Sequence, residues 1–285
     1  MLNEILAAVR PPVAAVMPVD AAKALVDSKA QRGLSTCYLH CLKSAVMRFC
    51  EAFADRPLSS ISGVDVERFI CNPNWSNETR RSALRNIRVF LAFALRRGWV
   101  RQNVALDVEW PAHQERPPGI LSPDKAAHLL RTCEKVDRPF VSWLAVQLFA
   151  GLRVNEARLL HQDQVHERHI EVTAAKAKTR RRRIVDVNPT LRAWLDIGGA
   201  FPFLNCRARR EAVSRAAGVS WPANCLRHSF VSYSFPVLGA RETAIQAGHS
   251  ESVLFAHYRE LVTPEDAARF WAIRPQGGRQ MELFG

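Results

Sequence analysis

Apolar residues recur at intervals of three and four along the first 108 residues, which is the spacing of one face of an α-helix. One series starts after Ser35, and a longer one starts after Ser76, a good helix N-cap, and stops at Gly98. Breaks at 57–63 and 72–74 leave room for one short helix between them. The predicted core-facing positions are Leu39, Leu42, Val46, Phe49 and Phe53 in the first series and Leu84, Ile87, Leu91 and Leu95 in the second.

A second region of different character follows residue 120. The segment 109–120 contains three prolines and a glycine with little periodicity, which is typical of a linker. Beyond it, helical patterns flank two alternating, strand-like segments at 168–172 and 183–187. The predicted fold is mainly α with a small β-sheet (α+β), in two domains. The predicted order is an N-terminal tail (1–17), a helical domain (18–108), the linker (109–120), a second domain (121–273) and a C-terminal tail (274–285).

The charge balance indicates the kind of partner. Forty Lys and Arg residues against 27 Asp and Glu residues give a net charge of +13. Such an excess favours a polyanion, either nucleic acid or an anionic membrane surface. No apolar run approaches the roughly 18 residues of a spanning helix, and no basic amphipathic helix is evident at a terminus. Nucleic acid is therefore the expected partner, with no membrane association.

Neither export nor metal binding by cysteine is expected. The apolar stretch 5–19 is interrupted by Arg10, Pro11 and Pro12, unlike the core of a signal peptide. The seven cysteines are scattered and contain no CxxC pair, which favours buried thiols in a reducing cytosol over disulfides or zinc ligands. We therefore expect a cytoplasmic protein that holds no metal.

Four short segments of the second domain stand out together because they carry arginine, lysine, histidine and tyrosine side chains. The first places Arg153 between two predicted helices, with Glu156 one turn later to orient it. The second places Lys178 in the basic stretch between the predicted strands. The third and fourth are residues 224–230, which begin a helix, and 247–260.

In order and spacing these segments resemble the phage integrase family, the tyrosine recombinases. The matching features are GLR-x-x-E, K-T-R-R-R before a strand, L-R-H-S-F, and GHS with a tyrosine nine residues after its histidine. The resemblance covers residues 120–272, and the helical part before them is similar to the core-binding domain with which the family clamps DNA. It implies a two-domain site-specific DNA recombinase or integrase.

The resemblance also implies a role for each position. Tyr258 is the expected nucleophile, which attacks a backbone phosphate to give a 3′-phosphotyrosyl ester and a free 5′-hydroxyl. Arg153 and Arg227 are expected to bind the non-bridging oxygens, Lys178 to act as general acid for the leaving 5′-oxygen, and His249 to bind the phosphate or assist proton transfer. Guanidinium forks suit such oxygens. No cofactor is expected, because neither a magnesium-binding carboxylate set nor an ATP-binding GxxxxGK[ST] loop is present.

Two positions leave alternatives open. Asn224 stands where the family usually has a histidine, and an amide can donate a hydrogen bond to phosphate but cannot hold a proton as imidazole does. The second hypothesis is accordingly a DNA-binding protein with the recombinase fold and reduced or lost strand exchange. Lys176 competes with Lys178 as general acid, although Lys178 has the family's spacing of five residues before Arg183.

Basic residues elsewhere predict contacts with the DNA backbone, the alternative being ordinary solvated charge. They are Arg81, Arg85 and Arg88 on one face of the long N-terminal helix, and Arg180, Arg181 and Arg182 between the strands. Recombination joins two duplexes at four active sites, so the resemblance implies a homotetramer on double-stranded DNA that is a monomer when free. A bacterial, nucleoid-associated location follows from that partner. A type IB topoisomerase shares the chemistry, but the short length and the N-terminal domain argue against it.

Overall fold

The computed structural model describes residues 15–112, 119–173, 182–222, 224–248, 250–252, 254 and 262–276. The chain divides into two compact units between Glu115 and Arg116. Each unit has its own buried apolar core. Of the described helices, none is both long enough and apolar enough to cross a bilayer.

The N-terminal unit is helical throughout its described elements. The helices are α1 (Pro18–Gln31), α2 (Thr36–Glu51), α3 (Gly63–Ile70) and α4 (Asn77–Arg96). In the last three helices a serine side chain accepts a hydrogen bond from a backbone amide of the first turn. Ser35 accepts from Tyr38, Ser62 from Asp65 and Ser76 from Thr79. These bonds satisfy amides that have no partner within the helix, so the boundaries follow directly from the local sequence.

Aromatic side chains fill much of this first core. The Phe49 ring meets Phe69 and Phe90 edge-on, at centroid distances of 5.2 and 6.4 Å. Phe53, predicted as the last core position of α2, lies beyond the end of that helix but still packs edge-on against Phe49 at 5.1 Å.

One core position of α4 was predicted wrongly. Leu84, Ile87 and Leu91 are buried, but Leu95 is 42% exposed and Ala94 is buried instead. Spacings of three, four and three residues carry the buried face from Leu84 to Ala94. Leu95 is one residue further and therefore lies about 100° away from that face.

The C-terminal unit contains seven helices among its described residues and one two-stranded sheet. The helices are α5 (Pro123–Val136), α6 (Val141–Phe149), α7 (Val154–Leu159), α8 (Pro189–Ile197), α9 (Cys206–Ala217), α10 (Cys225–Ala247) and α11 (Pro264–Trp271). Ser122 caps α5 by accepting from the Lys125 amide at 3.3 Å, as predicted. Every residue of α6 is buried, so this helix lies at the centre of the unit. Helix α10 is interrupted at Gly239, where φ is +75°.

The sheet pairs β1 (His169–Val172) with β2 (Arg183–Asp186) in antiparallel register. Ile170 lies opposite Val185, and Val172 lies opposite Arg183. Because residues paired directly across two strands point to the same face, Arg183 shares the face of the buried Ile170 and Val172. The prediction of a mainly helical fold with a small sheet is confirmed.

Candidate active site

A tight turn between α6 and α7 positions Arg153. Gly151 in this turn has φ +62°, and a Cβ at that position would lie within 3.0 Å of ring atoms of Phe230, so only glycine fits. The Arg153 amide donates to Glu156 Oε2 at 2.9 Å, and its Nη1 donates to Oε1 at 2.8 Å. Glu156 thus orients Arg153, as its position one turn later predicted.

Arg227 reaches the same region from the first turn of α10. It is only 4% exposed, and its guanidinium donates to the carbonyl oxygens of Gly151 and Ala247. Burial of a charged side chain at this depth requires such hydrogen bonds. Arg153 and Arg227, predicted together from sequence, are therefore brought together by the turn at 151–153 and the end of α10.

Asn224 immediately precedes α10 in the left-handed conformation, with φ +64°. Asparagine adopts this conformation more readily than most residues. Asn224 is exposed, and its backbone carbonyl oxygen accepts a hydrogen bond from the His228 backbone amide at 2.8 Å. Asn224 therefore lies at the same helix start as Arg227, three residues before it.

A third arginine belongs to this cluster and was missed as a site residue. Arg183, the first residue of β2, donates from Nη1 and Nη2 to the two carboxylate oxygens of Glu156 at 2.9 and 2.8 Å. From the sequence, Arg183 was used only to judge the spacing of Lys178, which lies five residues before it. The register of the two strands shows what the sequence could not, because an arginine on the core-facing side of a strand needs a buried carboxylate partner.

The three guanidinium groups meet at the C-terminal end of α10. Arg183 Nε donates to the carbonyl oxygen of Gln246 (3.1 Å), Arg227 to that of Ala247, and Arg153 Nη2 to that of Gly248 (2.8 Å). The last carbonyls of a helix have no partner within it and carry the negative end of its dipole. Three consecutive carbonyls are thus each held by a different arginine.

Gly248 is the last of the three residues whose carbonyl oxygens bind the arginines. It ends α10 with φ +64°, and a Cβ there would approach Arg183 Cδ at 3.2 Å. Glycine therefore serves both the left-handed helix end and the close approach of the arginine. The residue that follows it in the chain is His249.

Glu156 is the carboxylate at the centre of the cluster, and its side chain is 1% exposed. Burial raises the pKa of its carboxyl, but the hydrogen bonds and charge of Arg183, followed by the bonds from Arg153, outweigh burial and lower the pKa to about 2. Glu156 is therefore ionised at neutral pH. Arg153 and Arg183 share this carboxylate, whereas Arg227 binds carbonyl oxygens. One carboxylate among three guanidinium groups leaves the cluster with an excess of positive charge.

Several predicted site residues lie outside the described residues. They are Lys178 and its competitor Lys176, His249, Tyr258, Arg180 and Arg181. Arg182 is described, is exposed, and donates from Nη2 to Glu171 Oε2 at 2.8 Å.

The predicted basic face of α4 contains one exposed arginine and two that contact the chain following the helix. Arg88 donates to the carbonyl oxygens of Ala105 (2.9 Å) and Val108 (2.7 Å), and its guanidinium carbon lies 4.3 Å from the ring centroid of Trp110. Arg88 therefore holds the segment after α4 in place.

Arg81 makes a similar contact, donating from Nη1 to the Pro111 carbonyl at 2.6 Å while lying 5.3 Å from the Trp110 ring centroid. Arg85, between them on the helix, is exposed.

No family model matches the chain. The tyrosine recombinase XerC of Alcanivorax borkumensis is 25% identical over 235 residues, which covers 73% of this chain and 76% of that protein. In sequence the chain is therefore similar to tyrosine-type, site-specific DNA recombinases.

Solved structures of two DNA-bound integrases have the same fold as this chain. A lambda integrase tetramer bound to a Holliday junction superposes with a TM-score of 0.70 at 12% identity, covering 86% of this chain and 79% of that chain. The Tn1549 transposon integrase in complex with circular-intermediate DNA gives a TM-score of 0.62 at 16% identity, covering 89% of this chain and 98% of that one.

Proposed function

We propose that this chain cuts and rejoins double-stranded DNA through a 3′-phosphotyrosyl intermediate at Tyr258. The observation that carries the proposal is the convergence of Arg153, Arg183 and Arg227 on the end of α10. An arginine cluster with excess positive charge is suited to the dianionic, trigonal-bipyramidal phosphorus of a strand-transfer reaction.

Preorganisation of the guanidinium groups supports this chemistry. The bonds from Arg153 to Glu156 and Gly248 use two of the five N–H donors of a guanidinium, so the group is fixed while donors remain for phosphate oxygens. Donors that are already oriented cost no reorganisation when charge develops on the phosphate. Arg153 and Arg183 engage both oxygens of Glu156, so the proposed reaction does not use this carboxylate to hold a metal ion. The proposed reaction needs no ATP, because the phosphotyrosyl ester conserves the energy of the broken bond for rejoining.

The proposed roles follow the family pattern. Arg153 and Arg227 bind the non-bridging oxygens, Lys178 protonates the leaving 5′-oxygen, and His249 assists at the phosphate. Asn224 donates a hydrogen bond to the phosphate from the start of α10. Arg183 acts as a positioning residue, because it reaches the cluster through Glu156 and Gln246.

Tyr258 is also favoured over the buried tyrosine of the C-terminal unit. Tyr233 is 2% exposed, and its hydroxyl donates to the Leu121 carbonyl at 2.9 Å. Burial raises the pKa of Tyr233 to about 12, which disfavours the phenolate that a nucleophile requires.

The proposed partner is double-stranded DNA, bound by a homotetramer during strand exchange, and the protein free of DNA is proposed to be a monomer. The tetrameric state of lambda integrase on a Holliday junction supports this assembly. In this proposal residues 18–108 form the DNA clamp, 109–120 the linker and 121–273 the catalytic domain. Arg85 and the basic residues 180–182 contact the DNA backbone. The place of action is the bacterial nucleoid.

Covalent trapping tests the proposed nucleophile. The protein is incubated with nicked half-site duplexes cut from the DNA that flanks its own gene, then run on a denaturing gel. We expect a protease-sensitive band of slower mobility that disappears in Tyr258→Phe and persists in Tyr38→Phe, which removes the hydroxyl of an exposed tyrosine in the N-terminal unit. An adduct that survives Tyr258→Phe would refute the assignment.

The second candidate is a DNA-binding protein of the same fold that no longer exchanges strands, and Asn224 at the usual histidine position favours it. Asn224→His separates the two candidates. An adduct in the unaltered chain rejects the second candidate. DNA binding without an adduct, in both the unaltered chain and Asn224→His, rejects the recombinase.

A further inference from the structure

Two histidines and a glutamate lie together on the outer face of the small sheet. They are His166, His169 and Glu171, and one ligand atom of each lies within 4.8 Å of the others. His169 and Glu171 are two residues apart on β1, so they point to the same face, opposite the buried Ile170. Arg183 belongs to the buried face, so the arginine cluster and this group occupy opposite sides of the sheet.

The distances are close to those of a metal site. His166 Nε2 and His169 Nε2 lie 3.6 and 3.9 Å from Glu171 Oε1. Four ligands at about 2.0–2.1 Å around zinc lie about 3.3 Å from one another, so small side-chain rotations would bring the three atoms onto one ion. The two imidazole rings are already side by side, with centroids 4.4 Å apart.

Hydrogen bonds fix the backbone at all three ligand positions. The His166 amide donates to the His169 carbonyl at 2.9 Å, and Arg192 donates to the His166 carbonyl at 3.0 Å. His169 and Glu171 are held in register with β2. Ligands held in this way lose little conformational entropy when an ion binds.

Glu171 also has the outer contact that metal-bound carboxylates usually make. Its Oε2 accepts from Arg182 Nη2 at 2.8 Å, while Oε1 faces the two imidazoles. One oxygen can therefore bind a cation while the other keeps its hydrogen bond, which orients the carboxylate.

We propose that His166, His169 and Glu171 form a binding site for a divalent transition-metal ion of the zinc type. Two imidazoles and one carboxylate are a ligand set that zinc uses, with a further position left for water or another ligand. Cysteine spacing gave no hint of this site, because none of its ligands is a thiol. By binding His166 together with His169 and Glu171, the ion would link the 166–169 turn to β1. This link would lie on the face of the sheet opposite the arginine cluster.

Titration of the full-length, tag-free protein with Zn²⁺ in a calorimeter tests the site, with His169→Ala and Glu171→Gln as ligand variants. We expect one ion per chain in the unaltered protein and at least about tenfold weaker binding in each variant, since loss of even an outer contact costs that much. His40→Ala removes an exposed imidazole in the N-terminal unit and should leave the affinity unchanged.

Exposed thiols at Cys37, Cys41 and Cys71 could also bind zinc, so a second measurement identifies the ligands. Co²⁺ replaces Zn²⁺, and its absorption spectrum is recorded. Bands of a tetrahedral ion that lack thiolate charge transfer and disappear in His169→Ala support the proposal. Thiolate charge transfer at full occupancy, an affinity unchanged in His169→Ala, or no binding to the unaltered chain would each overturn it.

Discussion

Arg88 in the N-terminal unit and Arg183 in the C-terminal unit both donate to backbone carbonyls, yet their surroundings differ. Arg88 lies against Trp110 and binds the carbonyls of an irregular segment. Arg183, whose side chain is 10% exposed, binds the end of a helix and shares the Glu156 carboxylate with Arg153.

The difference lies in what else each guanidinium can do. An arginine that binds loop carbonyls beside an aromatic ring stabilises the chain at that place and needs no other partner. Arginines that surround one buried carboxylate and a helix end keep net positive charge in a fixed geometry, which is the condition for binding an anion. Similar contacts thus serve stability in one unit and, in our proposal, phosphate chemistry in the other.

Removal of the shared carboxylate should give the largest effect. Glu156→Gln leaves the largely buried Arg183 without its charged partner, and breaking a buried ion pair in this way costs about 3–5 kcal/mol. We expect a loss of that size in the free energy of unfolding of the C-terminal unit, measured by hydrogen exchange of its core amides.

Glu211→Gln is the matched control, because Glu211 pairs with Arg207 on the surface. Exposed pairs contribute roughly 0–1 kcal/mol, so equal losses in the two variants would contradict the central role of Glu156. The pKa of Glu156 is lowered from 4.5 to about 2, so its contribution is present above pH 4.5 and is lost as the pH falls toward 2. The difference between the unaltered chain and Glu156→Gln should therefore shrink by about 3 kcal/mol over that range.

Substitution of one glycine in each unit by alanine should destabilise the two units to different extents. Gly151 and Gly98 both have positive φ, but a Cβ would overlap the Phe230 ring at Gly151 and meet nothing within 4 Å at Gly98. We expect Gly151→Ala to cost about 2–4 kcal/mol from strain and overpacking together, and Gly98→Ala about 1 kcal/mol from strain alone.

Hydrogen exchange read peptide by peptide reports the two losses separately, since each glycine belongs to a different unit. Equal losses at the two positions would show that the Phe230 ring can move aside, and the turn at 151–153 would then not be rigid.

A third prediction addresses the roles of Arg183 and Arg88 directly. Arg183→Gln should lower the rate of covalent adduct formation by about 100-fold at saturating DNA, because a displaced Arg153 loses its alignment with the phosphate. Arg88→Gln should leave that rate within a factor of two to three, since its contacts hold only the chain after α4.

Arg183→Lys distinguishes positioning from simple charge. A lysine keeps the positive charge but cannot form the two parallel bonds to Glu156, so the rate should stay low. Full activity in Arg183→Lys, or equal losses in Arg183→Gln and Arg88→Gln, would mean that the geometry around Glu156 does not govern the reaction.

Local signals predicted the helix starts but not the arginine cluster. Serine caps act within three residues, so Ser76 and Ser122 marked their helices correctly. The bonds of Arg183 join residues that lie 27 and 63 positions apart in the chain, and no periodic pattern encodes such contacts. Family resemblance supplied Arg153 and Arg227, whereas Arg183 required the strand register.

The smallest expected effect concerns Arg85, the exposed arginine of α4. If it contacts a DNA phosphate, Arg85→Ala should reduce the slope of log K against log salt concentration by about 1, because one fewer counterion is released on binding. Fluorescence anisotropy of a labelled duplex across a series of salt concentrations measures this slope. Arg68→Ala removes the same charge from an exposed position on α3 and serves as the control. Equal slopes in the two variants would assign Arg85 to the general basic field of the protein, and the α4 face would then contribute to chain stability alone.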